Sequence, residues 1–293
     1  MNTQATCLSL VTVMAFALNT SASIIVADSF DRANNDSLGV TSTGGFAWSE
    51  VETVAGSGIR ISGNAVVAGS TTSGRDAAFV DLGSASGYSS TLSENSGIVT
   101  WSINMRQTRP EPSGFDGNNY GMAFVLCSSA NWVGAGSSGY AIVLGQSGDT
   151  DSIRVAAFNN GLSLDSSFTD IISSGDYGSE HLNVRVTYNP NGDLWSLYMT
   201  SGGSFSDPAA VTTQLGSTTQ NSTYTGTDLR YTGMLWNHAT GASELATFDN
   251  FSLQVVPEPV EWALFAFGAV FVGTRMVRCW RRCGRNAMAG TLR

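Results

Sequence analysis

The chain has 293 residues, contains no lysine, and carries a formal net charge of −9 at pH 7. Residues 28–256 hold 21 acidic residues and 8 arginines, a net charge of −13, so they lack the clustered positive surface that nucleic-acid binding requires. Glycine, serine, threonine and asparagine are abundant and no long helix-period segment occurs, which argues against a helical bundle.

The first apolar segment of the chain is Leu8–Leu18, which is too short to span a membrane as a helix. Small residues follow at 20–23, and cleavage is expected after Ala22 or Ser23. We therefore predict a signal peptide over residues 1–23. An N-terminal core strand or helix remains the alternative, because no lysine or arginine precedes the apolar segment.

The body, residues 24–256, is dominated by short segments with a period of two. In 182–188, Leu182, Val184 and Val186 point to one side, and the polar residues between them point to the other. The same alternation or a short apolar run occurs in Ala77–Leu82, 101–106, Tyr120–Cys127, Tyr140–Leu144, Ile153–Phe158, Leu194–Thr200 and Thr247–Val255.

Turn-forming clusters separate these segments, and the strongest is 189–193, Asn-Pro-Asn-Gly-Asp, which predicts a hairpin. Many short strands separated by turn-forming residues predict an all-β domain built as a two-sheet antiparallel sandwich.

The order of the motifs in the body adds a resemblance to a known family. The body opens on Asp28-Ser29-Phe30-Asp31-Arg32, continues through Tyr120–Val125 and Gly139–Gly145, and closes on Phe248–Leu253. This order resembles the concanavalin A-like lectin/glucanase (laminin G-like) jelly roll. The resemblance implies a jelly-roll sandwich that is associated with carbohydrate. The resemblance also allows a structural calcium ion, for which Asp28 and Asp249 could approach each other if the two ends of the body pair. We nevertheless predict no cofactor and assign no metal ligands.

Catalytic carboxylates are not evident in the body. The Glu-x-Asp-x-x-Glu pattern of the hydrolases on this fold is absent, and Glu50 and Glu52, which would share one face of a strand, have no further acid nearby to complete a catalytic set. We therefore expect a non-enzymatic protein. The alternatives are a diverged glycan hydrolase or lyase and a purely structural module.

Two loops are candidates for ligand binding, because sugar sites combine exposed aromatic rings with amide and carboxylate side chains. One loop contains Asn131 and Trp132 between glycine- and serine-rich segments. The other contains Asp116, Asn118 and Tyr120. An extracellular polysaccharide is the expected partner.

The last 37 residues have three ordered parts: Pro257-Glu258-Pro259, an apolar run from Trp262 to Thr274, and a group of arginines. The apolar run alone would span about 20 Å as a helix, whereas 260–280 would span about 31 Å, close to the hydrocarbon thickness of a bilayer. This pattern predicts a single transmembrane helix, with a basic cytoplasmic tail over 283–293 and the body on the opposite side. A buried core helix is the alternative for so short a run.

This tail, 257–282, resembles the PEP-CTERM sorting signal of Gram-negative bacteria. The matching residues are Pro257, Glu258 and Pro259, the apolar run, and the basic residues Arg278, Arg281 and Arg282. The resemblance implies recognition by an exosortase-type transpeptidase and cleavage near the Pro-Glu-Pro. It also implies export: anchoring in the inner membrane first, then delivery to the cell surface or extracellular matrix.

Overall fold

The computed structural model describes residues 22–117, 119–129, 136–148, 150–240 and 244–257. Residues 1–21 of the predicted signal peptide, and the predicted sorting tail from Glu258 onward, lie outside this range. No helix within it is long and apolar enough to cross a membrane. Ala22–Pro257 forms one compact unit.

The described part of the chain is built from β-strands and three short 3-10 turns. In chain order the strands are β1 Ser23–Asp28, β2 Ser49–Val51, β3 Ile59–Ile61, β4 Val66–Ala68, β5 Gly74–Asp81, β6 Gly97–Gln107, β7 Gly121–Ser128, β8 Ser138–Leu144, β9 Ile153–Asn159, β10 Phe168–Ser174, β11 His181–Asn189, β12 Leu194–Gly202, β13 Gln214–Gln220, β14 Tyr231–His238 and β15 Ala246–Pro257.

These strands form two sheets. Sheet 1 has the order β13-β12-β11-β6-β15-β4-β3, and β1 also pairs with β15. Sheet 2 has the order β10-β9-β8-β7-β14-β5-β2. Every pairing between these strands is antiparallel. The predicted all-β, two-sheet antiparallel sandwich is therefore confirmed.

The segments that alternate in sequence are strands in the structure. The hairpin predicted at 189–193 joins β11 to β12, whose residues pair without a break from His181↔Gly202 to Asn189↔Leu194. The sequence does not predict the strands β1, β3, β4, β10, β13 and β14.

The main core lies between the two sheets, and most strands contribute alternate residues to it. Trp101 of β6 and Trp195 of β12 are fully buried there, with ring centroids 6.1 Å apart in a stacked arrangement. Trp236 of β14 is also fully buried in this core.

Sheet 2 is buried on its outer face as well. A second apolar cluster occupies that face and is made mainly of small residues, so that loops can approach the strands closely. Its fully buried strand residues are Ala77, Ala123, Val125, Ala141, Val143, Ala156 and Leu235. Phe115 and Leu162, which lie in the loops 108–120 and 160–167, cover them. We call this outer surface of sheet 2 the covered face.

Candidate functional site

A cluster of polar side chains lies on the covered face, under the loop that joins β6 to β7. We define the Arg75 cluster as Arg75, Asp116, Asp165 and Asn237, together with the backbone of Gly114 and Phe115. The strands place two of its members side by side, because Arg75 of β5 pairs directly with Asn237 of β14.

Arg75 and Asn237 hold the loop by its carbonyl oxygens. The Asn237 amide donates to the carbonyl oxygens of Gly114, at 3.2 Å, and Asn119, at 2.8 Å. The Arg75 guanidinium donates to the carbonyl oxygen of Ser163 at 2.8 Å, and more weakly to that of Phe115 at 3.5 Å. These two side chains therefore bind both loops that cover the face.

The two carboxylates connect the same loops to each other. The backbone N–H of Phe115 donates to Asp165 Oδ1 at 2.8 Å, and the N–H of Asp165 donates to Asp116 Oδ1 at 3.0 Å. Gly114 has a φ of +94°, and a side chain there would lie 2.5 Å from the Asp165 carboxylate. Only glycine fits at this point of closest approach between the loops.

Several buried polar atoms on the covered face have no hydrogen-bond partner among the described residues. They are Arg75 Nε, Asp165 Oδ2 and Asn237 Oδ1 of the cluster, and Arg154 Nε of β9. Leaving a buried donor or acceptor unsatisfied costs about 1–3 kcal/mol. The covered face thus holds two buried donors and two buried acceptors that have no partner among the described residues.

Burial and neighbouring charges shift the pKa values of two residues in the cluster, Asp165 and Arg75. Burial raises the pKa of Asp165, the bond from the Phe115 N–H opposes this, and the negative charge of Asp116 adds to it. Burial lowers the pKa of Arg75 from its ordinary value. Arg75 and Asp165 are partly exposed and Asp116 is exposed, so the cluster reaches the protein surface.

Of the five predicted ligand-binding residues, the structure describes Asp116 and Tyr120, and it places them in different surroundings. Asp116 joins the Arg75 cluster. Tyr120 is 9% exposed, and its ring packs 5.8 Å from that of Trp236 and 4.5 Å from the Arg109 guanidinium, so it does not present a face for stacking. Asn118, Asn131 and Trp132 lie outside the described residues, and their role stays a prediction.

The acidic residues considered for catalysis or calcium have structural partners. Glu50 accepts the Leu38 N–H at 2.6 Å, and Glu52 accepts that of Ile59 at 2.7 Å. Asp28 is fully buried, and its carboxylate accepts hydrogen bonds from Nη1 and Nη2 of Arg32 and from the indole N–H of Trp48. The β1–β15 pairing does bring the two ends of the body together. Among the described residues, no group of three or more His, Cys, Asp or Glu could hold a metal ion.

No family model matches the chain, and no curated protein matches its sequence. Among solved structures, the chain is similar to the botulinum neurotoxin serotype C1 binding domain (TM-score 0.48, 14% identity), over 84% of this chain and 52% of that one. It is also similar to the Emp47p carbohydrate recognition domain (TM-score 0.46, 11% identity, 79% and 94% covered). A third similar structure is a Lotus tetragonolobus seed lectin (TM-score 0.44, 9% identity, 78% and 99% covered). At these identities and TM-scores, the likeness carries no argument about ligand or activity.

Proposed function

We propose that the β-sandwich binds carbohydrate at the Arg75 cluster. The observation that carries this proposal is the set of unpaired buried polar atoms on the covered face, Arg75 Nε, Arg154 Nε, Asp165 Oδ2 and Asn237 Oδ1. Sugar hydroxyls both donate and accept hydrogen bonds, so one class of ligand can satisfy the donors and the acceptors together.

The surroundings of the cluster support a polar, uncharged ligand. The cluster combines one arginine, Arg75, with two carboxylates, Asp116 and Asp165, so neither an anion nor a nucleic-acid phosphate is favoured. The apolar residues of the covering loops, such as Phe115 and Leu162, exclude water and strengthen the hydrogen bonds made beside them.

The proposal is tested by screening the full-length protein on a glycan array, together with the variant Asp165→Asn. Asparagine keeps the oxygen that accepts the Phe115 N–H and replaces the unpaired acceptor with a donor. We expect binding to a saccharide to weaken about tenfold or more.

Asp207→Asn is the matched control. Asp207 is exposed and accepts one backbone N–H, that of Ala209, at 2.9 Å, so the same substitution there should leave binding unchanged. Equal loss in both variants, or no binding of the wild type to any glycan, would count against the proposal.

Hydrolysis of a glycan is the second candidate function, because the cluster contains two neighbouring carboxyls and the pKa of one, Asp165, is raised. Two neighbouring carboxyls, of which one has a raised pKa, could serve as acid and base. Binding without catalysis is preferred here, since both carboxylates already accept backbone N–H groups. Release of new reducing ends from the bound glycan, lost in Asp165→Asn, would establish hydrolysis instead.

We also propose that the protein is exported and sorted through its 257–282 tail by exosortase-type machinery, for display at the cell surface or in the extracellular matrix. The support is the sequence of the tail. The last strand, β15, ends at Pro257, so cleavage after this residue would leave every described strand in place. Cell fractionation tests this proposal: replacing Arg281 and Arg282 with glutamine should leave unsorted protein, and full-length protein free in the cytosol of wild-type cells would contradict it.

A further inference from the structure

A separate polar pocket lies at the β3 edge of sheet 1. Its volume is about 400 Å³, and its lining residues are Asn34, Asn35, Asp36, Arg60, Ile61 and Ser62. We call it the Asn34 pocket. Its volume falls within the range of roughly 300–1,000 Å³ that is usual for small-molecule sites.

Backbone and side-chain hydrogen bonds fix the walls of the Asn34 pocket. The N–H of Asn35 donates to the Ile61 carbonyl oxygen at 3.1 Å, and the Ile61 N–H returns a bond to Asn35 at 2.8 Å. The Asn34 side-chain oxygen accepts the Gly63 N–H at 3.0 Å. The shape of the pocket is therefore set before a ligand enters, which reduces the entropy lost on binding.

The side chains of the pocket keep most of their polar atoms free. Arg60 uses only Nη1, which donates to the carbonyl oxygens of Ser57 at 3.2 Å and Gly69 at 3.5 Å. The Asp36 carboxylate accepts no hydrogen bond from the described residues, and the amide groups of Asn34 and Asn35 donate none to them. The pocket thus presents several N–H donors beside one carboxylate acceptor.

We propose that the Asn34 pocket is a second saccharide-binding site, specific for a short uncharged saccharide. The opposite charges of Arg60 and Asp36 balance, so the pocket favours neither an anion nor a cation. Neighbouring hydroxyl groups of a saccharide both donate and accept hydrogen bonds, so they match the donors and the acceptor of the pocket. It shares no residue with the Arg75 cluster, and it stands if the function proposed for that cluster fails.

A protein with two saccharide sites on different sheets can hold two polysaccharide chains at once. The second binding event on a linked chain is intramolecular, so two weak sites give a much stronger attachment together. The lining of the Asn34 pocket contains no aromatic residue on which a sugar ring could stack. We therefore expect its affinity for a single saccharide to be weak, and its effect to come from acting together with the other site.

The test is a calorimetric titration of the full-length protein with maltose, cellobiose and laminaribiose as probes. It uses Asp165→Asn as the background, because this substitution is expected to weaken binding at the Arg75 cluster about tenfold or more, so that the measured binding comes mainly from the Asn34 pocket. Adding Asp36→Asn removes the free carboxylate at nearly constant shape, and we expect at least about tenfold weaker binding of the probe that binds. Adding Ser62→Leu, which places a bulky apolar group in the lining of the pocket, should also weaken binding.

Asp31→Asn is the matched control, because Asp31 is exposed, lies in the same segment and does not line the pocket. The proposal is overturned if Asp36→Asn binds as tightly as Asp31→Asn, or if none of the three probes binds the Asp165→Asn background. If instead Asp165→Asn alone has no effect while Asp36→Asn abolishes binding, the Asn34 pocket stands and the function proposed for the Arg75 cluster fails.

Discussion

The buried carboxyl of Asp151 and the half-buried carboxyl of Asp249 have pKa values raised to about 6. Burial is the main cause for both. For Asp151 the bond from the Gln146 N–H opposes the shift and the charges of Glu111 and Asp176 add to it. Asp151 is 1% exposed and its Oδ2 has no partner among the residues described.

These carboxyls predict a pH dependence of stability. The ordinary pKa of an aspartate in an unfolded chain is about 3.9, so between about pH 4 and pH 6 the folded state binds more protons than the unfolded state. The free energy of unfolding should therefore fall as pH rises through this window and level off above it. Urea unfolding of the wild type and Asp151→Asn at both ends of the window measures the effect. Asp151→Asn should gain stability relative to the wild type at the higher pH, and a difference that does not change with pH would contradict the assignment.

At the residue scale, the sequence reveals only part of the Arg75 cluster. Asp116, which stands in a loop whose composition is typical of binding sites, is predicted from the sequence as a ligand-binding residue, and that role stays a prediction. Arg75, Asp165 and Asn237 are not predicted, because they are far apart in sequence and no local motif links them. The signal that could have found them is the near-continuous apolar character of β7 and β8, which indicates a sheet buried on both faces.

Among the strands, β14 shows why a glycine can be required in the middle of a sheet. A side chain at Gly233 would lie 2.0 Å from the Ala78 carbonyl oxygen and 2.6 Å from the Cα of Phe79, both backbone atoms of β5. These atoms cannot move without breaking the β5–β14 pairing.

We therefore expect Gly233→Ala to lower the free energy of unfolding by about 3 kcal/mol, at the upper end of overpacking effects. Gly226→Ala is the control, since a side chain at this exposed position would meet no atom within 4 Å and should change stability by no more than about 0.5 kcal/mol. Chemical denaturation of both variants measures the difference. Equal stabilities would show that β5 and β14 are not paired as described.

The strands that sequence predicts are those that alternate or are continuously apolar, such as β11 and β12. Some of the strands that the sequence does not predict lack such a pattern for a physical reason. Gly233 interrupts the apolar pattern of β14, and β13 is a mostly polar edge strand with Gly216 at a φ of +63°. An edge strand does not need a fully apolar face, so its sequence shows little of the alternation between apolar and polar residues that predicts a strand.

On the scale of the whole molecule, the sandwich depends on its last strand. β15 pairs with β6 along most of its length, and with β4 and β1 on the other side, so it lies inside sheet 1 rather than at an edge. Its residues Phe248, Phe251 and Leu253 are buried in the main core.

A chain that ends at Pro257 should therefore fold and unfold cooperatively, whereas a chain that ends at Glu244 should not fold. Removing β15 would expose the backbone of β1, β4 and β6 together with the core beneath them. Circular dichroism during heating distinguishes the two chains. A cooperative transition in the shorter chain would contradict the position of β15 in sheet 1.

The central claim is that a saccharide binds at the Arg75 cluster, and a crystal structure of the protein with the glycan selected by the array tests it most directly. We expect ligand hydroxyls within hydrogen-bonding distance of Asp165 Oδ2 and Asn237 Oδ1, which have no partner among the described residues. A glycan bound elsewhere, with only water at these two oxygens, would contradict it.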